Sequence, residues 1–318
     1  MAGPPPDPEA VARAAALLAP CGPRLRRSFP LAPLTSFRVG GPAALYLEAE
    51  SDADLEAAAR AVGETGIPWT VLGKGSNVLV ADAGFPGLVI RLGRGYRWVA
   101  REGTRLRAGG AIPLPALAGV ALSHGLAGLE FGVAIPASLG GAVRMNAGAH
   151  GRSMEEVVET VEVFVLDREE RVAVAGAEAG FAYRRSGLPE TGVVVGATLA
   201  LHPGDREEIR RRMDEAREWR RATQPLAEPN CGSVFKNPPG DHAARLIEAA
   251  GAKGMRVGGA VVSPKHANFI VAGPGASAAD VARLIRAVQE AVRARFGVEL
   301  EPEVQFVGDV GDVGVSAG

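Results

Sequence analysis

The chain has 318 residues, 47% of them hydrophobic, and a formal net charge of −1 at pH 7. This balance gives no global field that would favour nucleic acid or an anionic membrane as a partner. The length exceeds the usual size of one domain, so two or three domains are expected. Abundant Ala, Gly, Val and Leu, with only 5% aromatic residues, favour an α/β or α+β protein with small-residue packing.

Cysteine usage and the first residues of the chain bear on location. Cys21 and Cys231 are far apart and show no Cys/His ligand spacing, so neither a disulfide scaffold nor a structural zinc is expected. The first residues lack a basic stretch before an apolar core, and no run approaches the roughly 18 apolar residues of a membrane span. We expect a cytoplasmic protein without metal, nucleic-acid partner or membrane insertion. The sequence leaves the oligomeric state open.

Capping residues, helix breakers and periodicity predict helices that alternate with short strands up to about residue 203. The Pro-rich start is predicted to be disordered, and Ser51 with Asp54 forms a capping-box pattern at the start of one helix. The predicted helices of this part span 8–18, 51–61 and 114–123. The predicted strands span 45–49, 69–72, 78–80, 88–92, 96–101, 105–108, 157–166, 171–174 and 193–201.

A charged helix predicted over 205–222 marks a change in character, and we place a domain boundary before it. Two further helices are predicted over 242–250 and 277–296. The second begins with a capping box of Ser277 and Asp280 and ends at Gly297. The remaining predicted strands span 260–262, 269–271 and 300–307, and a tail rich in Gly, Val and Asp follows.

Two glycine-rich stretches are typical of a ligand site. Residues 128–151 contain six glycines and almost no charge, and residues 71–80 have the pattern of a strand, a Gly-x-Gly-Ser-Asn loop and a strand. Glycine is useful where φ is positive or where a backbone must approach another group closely. Bare N–H groups at such turns suit a pyrophosphate or a flat ring, and the alternative is a tightly packed structural loop. The run 73–76 lacks the spacing of a P-loop, which excludes that kind of NTPase.

Five further motifs follow in order along the chain: TSFRVGGP at 35–42, YRRS at 183–186, CGSVFKNP at 231–238, HANF at 266–269 and LEPEV at 300–304. Together with the glycine-rich stretches, they resemble the UDP-N-acetylenolpyruvoylglucosamine reductase (MurB-type) family over about residues 30–307. The short spacing between 183 and 231 resembles the subtype that lacks a substrate-covering loop insertion.

The resemblance implies an α+β fold, namely a three-domain flavoprotein with a PCMH-type FAD-binding domain and an α/β substrate-binding domain. The N-terminal part of the FAD-binding region would cover 1–65, joined by the C-terminal strand within 300–318. The FAD-binding domain would cover 66–203 and the substrate-binding domain 204–299. FAD would be bound noncovalently, with NADPH as reductant. The implied FAD-binding residues are Leu72, Gly73, Lys74, Gly75, Ser76, Asn77, Gly132, Ile135, Pro136, Gly140, Gly141, Asn146 and Gly148.

The resemblance also implies three catalytic residues. Reduction of an enolpyruvyl double bond needs a hydride, a proton and a fixed positive charge. Ser233 would donate the proton, and Arg184 would hold the carboxylate or enolate in a bidentate fork. Glu303 would stabilise the enol intermediate or position the proton. From the residues alone, Ser233 could instead be a turn serine, Arg184 a surface arginine and Glu303 a charge on an edge strand. Arg185 is an equal choice for the arginine.

Five residues are the implied contacts of a UDP-sugar substrate: Tyr183, Lys236, Asn237, His266 and Asn268. Two positions depart from the family pattern. Lys74 stands where a small residue is usual, and His150 stands where Tyr is common. Related flavin oxidases attach FAD covalently to a histidine, although a neutral surface histidine is the commoner outcome. Cys231 has no neighbouring base that would support a nucleophile.

The resemblance therefore implies an NADPH-dependent flavoenzyme of peptidoglycan precursor synthesis. It would reduce UDP-N-acetylglucosamine enolpyruvate to UDP-N-acetylmuramate, with hydride from flavin N5. One alternative is a flavin oxidase of the same cofactor-binding superfamily that acts on another alcohol or sugar. Another is a non-catalytic protein that binds a nucleotide sugar, which predicts a colourless protein.

Overall fold

The computed structural model describes residues 7–311. Most of the predicted disordered start and the end of the predicted tail lie outside these residues. The helices are α1 (Pro8–Leu17), α2 (Asp52–Thr65), α3 (Leu114–Ser123), α4 (Leu139–Arg144), α5 (Arg206–Thr223), α6 (Ala243–Ala249) and α7 (Ala278–Phe296). The strands are β1 (Leu25–Pro30), β2 (Pro42–Ala49), β3 (Trp69–Val71), β4 (Val78–Val80), β5 (Phe85–Leu92), β6 (Val99–Glu102), β7 (Arg105–Gly109), β8 (Leu126–Ala127), β9 (Gly148–Ala149), β10 (Arg152–Ser153), β11 (Val158–Val165), β12 (Glu170–Ala175), β13 (Gly192–Ala200), β14 (His202–Pro203), β15 (Arg256–Val257), β16 (Ala260–Val262), β17 (Ile270–Ala272) and β18 (Gln305–Val307).

The first sheet has the strand order β1-β2-β5-β3. Strands β2, β3 and β5 run parallel, and β1 runs antiparallel to β2. Leu55 and several alanines of α2 are buried together with leucines of β2 and β5. A helix face made of alanines lets the helix lie close to a sheet, so this part of the core is built from small side chains.

The predicted capping box at the start of α2 is wrong. Ser51 makes no capping hydrogen bond there. The carboxylate of Asp54 instead accepts hydrogen bonds from Glu50 N at 2.8 Å and from Arg24 Nη2 at 2.7 Å. Burial alone would raise the pKa of Asp54, but these donors hold that pKa below its ordinary value. The carboxylate therefore anchors neighbouring chain segments and does not cap its own helix.

The second sheet is antiparallel throughout, with the strand order β12-β11-β13-β7-β6. Its core also contains Ile209, Met213 and Ala216, which are the buried residues of α5. Helix α5, which marks the change in composition, thus packs against the core of the second sheet, which the preceding part of the chain forms. The packing favours a boundary after Thr223 over the predicted boundary before residue 204.

The third sheet, β15-β16-β17, is antiparallel and shares a core with α6 and α7. The predicted capping box of α7 is confirmed: Ser277 Oγ accepts from Asp280 N at 3.0 Å, and the Asp280 carboxylate accepts from Ser277 N at 3.1 Å. Gly297 ends the helix with φ at 67°. Here the local sequence and the tertiary fold agree on both ends of the element.

The C-terminal segment returns to the N-terminal half of the chain, because β18 pairs in parallel with β4. A continuous strand over 300–307, as predicted, is wrong for residues 300–304. Pro302 forms an isolated bridge with Phe235, and Lys236 N donates to Glu301 O at 2.9 Å. Proline has no N–H to continue a ladder, so the segment pairs locally with a loop before it enters the sheet. Within residues 7–311, no helix is both long and apolar enough to cross a membrane.

Asp82 links the turn after β4 to the start of α7. Its carboxylate accepts from Ala278 N at 2.8 Å and from Ala279 N at 2.9 Å, which are donors that lack partners within the helix. Asp82→Ala is expected to lower the free energy of unfolding by about 1–2 kcal/mol, measured by urea denaturation. Asp82→Asn keeps an acceptor and should lose less. An Ala variant as stable as the wild type would contradict this role.

Candidate active site

A cleft with a volume of about 130 Å³, partly open to solvent, lies between residues of the first sheet and residues of the second. We call it the inter-sheet cleft. Its walls come from the ends of β3 and β5, the turn after β7, the start of α4 and the start of β13. The residues that line it are Val71, Leu72, Gly73, Lys74, Arg91, Leu92, Arg97, Gly110, Ala111, Ser138, Gly140, Gly141, Arg144, Gly192, Val193 and Val194.

The glycines of the inter-sheet cleft are required first by the packing of the protein itself. A Cβ on Gly140 would lie 2.7 Å from the Val194 carbonyl oxygen, and a Cβ on Gly73 would lie 2.7 Å from Ser138 Oγ. Gly141 is exposed, and its Cβ would meet only Ser138 Oγ, at 3.4 Å. The bare backbone thus lets α4 lie against β13 and leaves Gly141 open to the cleft.

The electrostatics of the inter-sheet cleft fit an anionic ligand. Four cations line it, namely Lys74, Arg91, Arg97 and Arg144, and none of the lining residues is acidic. Arg144 Nη1 donates to Leu188 O at 3.0 Å, and burial lowers the pKa of Arg144. A dinucleotide with a diphosphate and flat rings suits this combination of positive charge, glycine backbone and apolar walls.

Not all predicted FAD-binding residues line this cleft. Leu72, Gly73, Lys74, Gly140 and Gly141 do. The remaining predicted residues do not line it, and they are Gly75, Ser76, Asn77, Gly132, Ile135, Pro136, Asn146 and Gly148. For these, contact with FAD stays a prediction.

Asn146 and Asn77 already use their side chains within the protein. Asn146 Nδ2 donates to Ala182 O at 3.0 Å, and its Oδ1 accepts from Glu155 N at 3.0 Å. Asn77 Nδ2 donates to Glu303 O at 2.9 Å. Each amide therefore connects a glycine-rich stretch to a segment that carries a predicted catalytic residue.

Two of the predicted catalytic side chains contact each other. Arg184 Nε lies 2.8 Å from Glu303 Oε1, and the two side chains are 22% and 17% exposed. The buried Nε–H is not directed at this oxygen, so the contact is a charge pair without a well-formed hydrogen bond. Burial raises the pKa of Glu303, and the positive charges of Arg184 and Lys236 oppose that shift. Arg185, the alternative from sequence, is exposed.

Arg184 sits in a tight turn with φ at 57°. The turn is closed by reciprocal backbone hydrogen bonds of 3.1 Å between Ala182 and Arg185. A left-handed conformation costs an arginine roughly 1–2 kcal/mol, and strain of this kind gathers at functional sites. The fold thus fixes the direction of this guanidinium through the backbone.

Ser233 lies on a loop whose backbone is hydrogen-bonded to the side chain of Asn268. The Asn268 side chain accepts from Phe235 N at 3.0 Å and donates to Phe235 O at 2.8 Å, in the manner of a paired strand. Glu303 N donates to Val234 O at 2.7 Å, which joins the loop to the segment of the predicted acid. Ser233 is half-buried, and its hydroxyl makes no hydrogen bond with any residue in 7–311. The hydroxyl is therefore available to a ligand.

The predicted substrate contacts fall into two groups. Lys236, Tyr183 and Asn237 lie at the surface of the site: Lys236 Nζ is 2.5 Å from Glu301 Oε1, and the Tyr183 hydroxyl accepts from Asn237 N at 3.3 Å. Asn268 is buried, and its amide is engaged with Phe235 as described above. His266 Nδ1 accepts from Asn268 N at 3.2 Å. The structure thus gives the second group a positioning task within the loop.

Cys231 lies under the same loop and is buried. Burial, and secondarily the negative charge of Glu303, raise the pKa of its thiol. A thiol kept protonated at neutral pH is not a nucleophile. In the part of the chain that the structure describes, no group of three or more His, Cys, Asp or Glu residues could hold a metal ion.

Several residues of the site were not identified from the sequence. Arg91, Arg97 and Ser138 line the inter-sheet cleft, and Arg144 stands inside the glycine-rich stretch directly after the glycines. An arginine within an otherwise uncharged glycine-rich run was a usable signal for Arg144. No sequence pattern marks Arg91 or Arg97, because the pairing of β5 brings Arg91 to the cleft and the turn after β5 brings Arg97 there.

Comparison with known proteins gives consistent matches. The FAD binding domain family matches residues 43–175, and the UDP-N-acetylenolpyruvoylglucosamine reductase C-terminal domain family matches residues 224–307. The reductase of Heliobacterium modesticaldum is 50% identical over 89% of this chain and 90% of that protein. The reductase of Anaeromyxobacter sp. is 48% identical, with 89% and 88% covered.

A solved structure matches as well. The UDP-N-acetylenolpyruvylglucosamine reductase (MurB) of Thermus caldophilus superposes with a TM-score of 0.77 at 39% identity, covering 89% of this chain and 98% of that chain. These matches confirm the predicted α+β flavoprotein fold and the FAD cofactor. The chain belongs to the UDP-N-acetylenolpyruvoylglucosamine reductase family of FAD-dependent oxidoreductases.

Proposed function

We propose that this enzyme reduces UDP-N-acetylglucosamine enolpyruvate to UDP-N-acetylmuramate at the expense of NADPH, as a step of peptidoglycan precursor synthesis. The observation that carries the proposal is the convergence of three distant segments on one point. The Arg184–Glu303 pair joins two of them, and the bond from Glu303 N to Val234 O brings the Ser233 loop alongside. The cytoplasmic location stays a prediction.

Arg184 is proposed to bind the substrate's carboxylate. FAD, when bound, would accept a hydride from NADPH and would donate a hydride from N5 to the substrate. As hydride adds to one carbon of the double bond, negative charge moves toward the carboxylate, and a fixed guanidinium stabilises it. The ion pair with Glu303 uses the Nε side of the guanidinium, and Nη2 donates to Gly148 O at 3.3 Å, so an incoming carboxylate can take up the remaining Nη donors.

Ser233 is proposed to deliver the proton to the neighbouring carbon. Serine is intrinsically a weak acid and needs nearby groups that stabilise its alkoxide or relay a proton. Lys236 lies three residues further along the same loop, and its charge acts on Glu303, whose pKa is raised by burial. In its protonated form, the Glu303 carboxyl group can stabilise the enol or pass a proton to the serine.

The diphosphate and sugar are proposed to lie beside Lys236, Asn237 and Tyr183, of which Asn237 and Tyr183 are exposed and Lys236 adds one cation. The chain between Tyr183 and Cys231 is largely taken up by β13 and α5, which supports the subtype without an inserted substrate-covering loop. Stopped-flow mixing of NADPH-reduced enzyme with the enolpyruvyl substrate or with oxygen tests the function. Faster flavin reoxidation by oxygen would favour an oxidase.

FAD is predicted to be held noncovalently. His150, the histidine nearest the glycine-rich backbone, is exposed and makes an edge contact with Trp219 at 5.2 Å between ring centroids. Acid precipitation of the purified protein should therefore release the yellow chromophore into the supernatant. Colour that stays with the pellet would show covalent attachment.

Arg184→Lys is predicted to slow flavin reoxidation by the substrate roughly 10- to 100-fold, because an ammonium group cannot reproduce the guanidinium fork. Reduction of the flavin by NADPH should change much less. Arg185→Lys is the matched control, since its exposed side chain should leave both half-reactions intact. Equal slowing of the two half-reactions in the Arg184 variant would refute the assignment.

Ser233→Ala is predicted to keep FAD content and flavin reduction by NADPH, yet to slow substrate reduction by about 10²–10⁴-fold, as expected for a lost general acid. Ser233→Cys should retain more activity, because a thiol can also donate. The decisive measurement is single-turnover oxidation of prereduced enzyme at saturating substrate. A wild-type rate for the Ala variant would rule out proton donation by Ser233.

Asn268→Ala is predicted to lower the free energy of unfolding by about 2–3 kcal/mol, because the N–H and C=O of Phe235 lose their partner in a buried place. The maximal rate of substrate reduction should fall with it, since the Ser233 loop is no longer fixed. Denaturation curves and single-turnover rates measure the two effects. Unchanged stability with only a raised KM for the UDP-sugar would instead indicate direct substrate contact.

A further inference from the structure

Arg184 stands on a short closed loop over residues 179–187, which we call the arginine loop. Its two ends are joined, because Gly187 N donates to Ala179 O at 2.8 Å. They also lie close together: a Cβ on Gly180 would be 3.1 Å from Gly187 Cα, nearer than ordinary van der Waals contact. The loop therefore keeps its own shape, and the direction of its arginine relative to the rest of the site depends on the bonds that leave the loop.

Two side-chain hydrogen bonds attach the arginine loop to the glycine-rich stretch. Ser186 Oγ donates to Arg144 O at 2.8 Å, and Asn146 Nδ2 donates to Ala182 O at 3.0 Å. Asn146 is buried, with 2% of its surface exposed, and Ser186 is half-buried. One attachment precedes Arg184 in the loop and the other follows it, so the two bonds hold both arms of the loop.

The guanidinium of Arg184 contacts the same stretch directly. Its Nη2 donates to Gly148 O at 3.3 Å, and a Cβ on Gly148 would lie 3.3 Å from its Nη1. The bare backbone thus lets the guanidinium lie beside the stretch while Nε faces Glu303. Arg144, whose carbonyl receives one of the two attachments, is itself fixed, because its Nη1 donates to Leu188 O at 3.0 Å.

We propose that Asn146 and Ser186 are positioning residues for substrate reduction. They hold the arginine loop so that the guanidinium of Arg184 meets the substrate carboxylate without first reorienting. A misplacement of about 1 Å at a reacting centre can cost roughly 100-fold in rate, so the loss of either bond acts on the substrate half-reaction. The inference rests on the proposed function, in which Arg184 binds that carboxylate.

The proposal is tested on the full-length holoenzyme, with the two half-reactions measured separately by stopped flow and expressed per bound flavin. At saturating substrate, Ser186→Ala and Asn146→Gly should each slow flavin reoxidation by the enolpyruvyl sugar nucleotide roughly tenfold. Reduction of the flavin by NADPH should change less than about twofold, because Arg184 has no part in it. Glycine tolerates the φ of 41° at position 146, so this variant reports the lost amide and not backbone strain.

Two further variants separate positioning from a merely structural role. Ser186→Thr keeps the hydroxyl and should retain most of the substrate rate. In an Arg184→Ala background, Ser186→Ala should slow the substrate half-reaction less than about twofold further, because the group that it positions is gone.

Ser123→Ala is the matched control. Ser123 Oγ donates to Val120 O at 2.7 Å within α3, which is a bond of the same kind, and its loss should leave both half-reactions at the wild-type rate.

Three results would overturn the positioning role: wild-type substrate rates in both variants, equal slowing of the two half-reactions, or the same slowing with and without Arg184. If Asn146→Gly does not fold, Ser186→Ala and Ser186→Thr still decide the question. A wild-type substrate rate for Arg184→Ala alone would overturn the inference together with the proposed role of Arg184. A slow Arg184→Ala variant beside wild-type rates for Ser186→Ala and Asn146→Gly would overturn the positioning role only.

Discussion

The site depends on the path of residues 301–307, which bind to both halves of the molecule. On one side, Lys236 N donates to Glu301 O at 2.9 Å and Glu303 N donates to Val234 O at 2.7 Å. On the other side, Asn77 Nδ2 donates to Glu303 O at 2.9 Å, and β18 pairs with β4. Every one of these bonds uses the backbone of the C-terminal segment. The distance between the Ser233 loop and the glycine-rich loop after β3 is therefore set by a segment that belongs to neither.

The electrostatics of the site centre on the ion pair between Arg184 and Glu303. Arg184 and Glu303 are largely withdrawn from water, and removing one charge of such a pair leaves the other uncompensated. Burial raises the pKa of Glu303, and the positive charges of Arg184 and Lys236 oppose that rise. An anion that pairs with Arg184 would weaken this opposition. Binding of an anion at Arg184 and the pKa of Glu303 are therefore physically coupled.

The sequence predicts elements well where local and tertiary interactions agree, and poorly where a side chain serves a distant segment. Ser277 and Asp280 cap α7 as their spacing indicates. By contrast, the carboxylate of Asp54 accepts hydrogen bonds from Arg24 and from the backbone N–H of Glu50, before α2. Strand β1 is not predicted because most of its six residues are exposed and they show no apolar alternation, and it pairs with β2 in the fold. The three catalytic candidates are found through motifs, but the contact between Arg184 and Glu303 is not, since these two residues lie far apart in the sequence.

The glycine-rich stretches show why a ligand loop and a structural loop are hard to separate from sequence. Gly140 is required because a Cβ would collide with Val194, and Gly75, with φ at 64°, would collide with Leu34. Both are packing requirements, yet the same close contacts bring the backbone to the edge of the inter-sheet cleft. The two explanations of these glycines are therefore compatible: tight packing on one face of the loop is what exposes bare backbone on the other. The charge on the open face supports this, because the cleft there is lined by cations, Lys74 and Arg97 among them, and by no acidic residue.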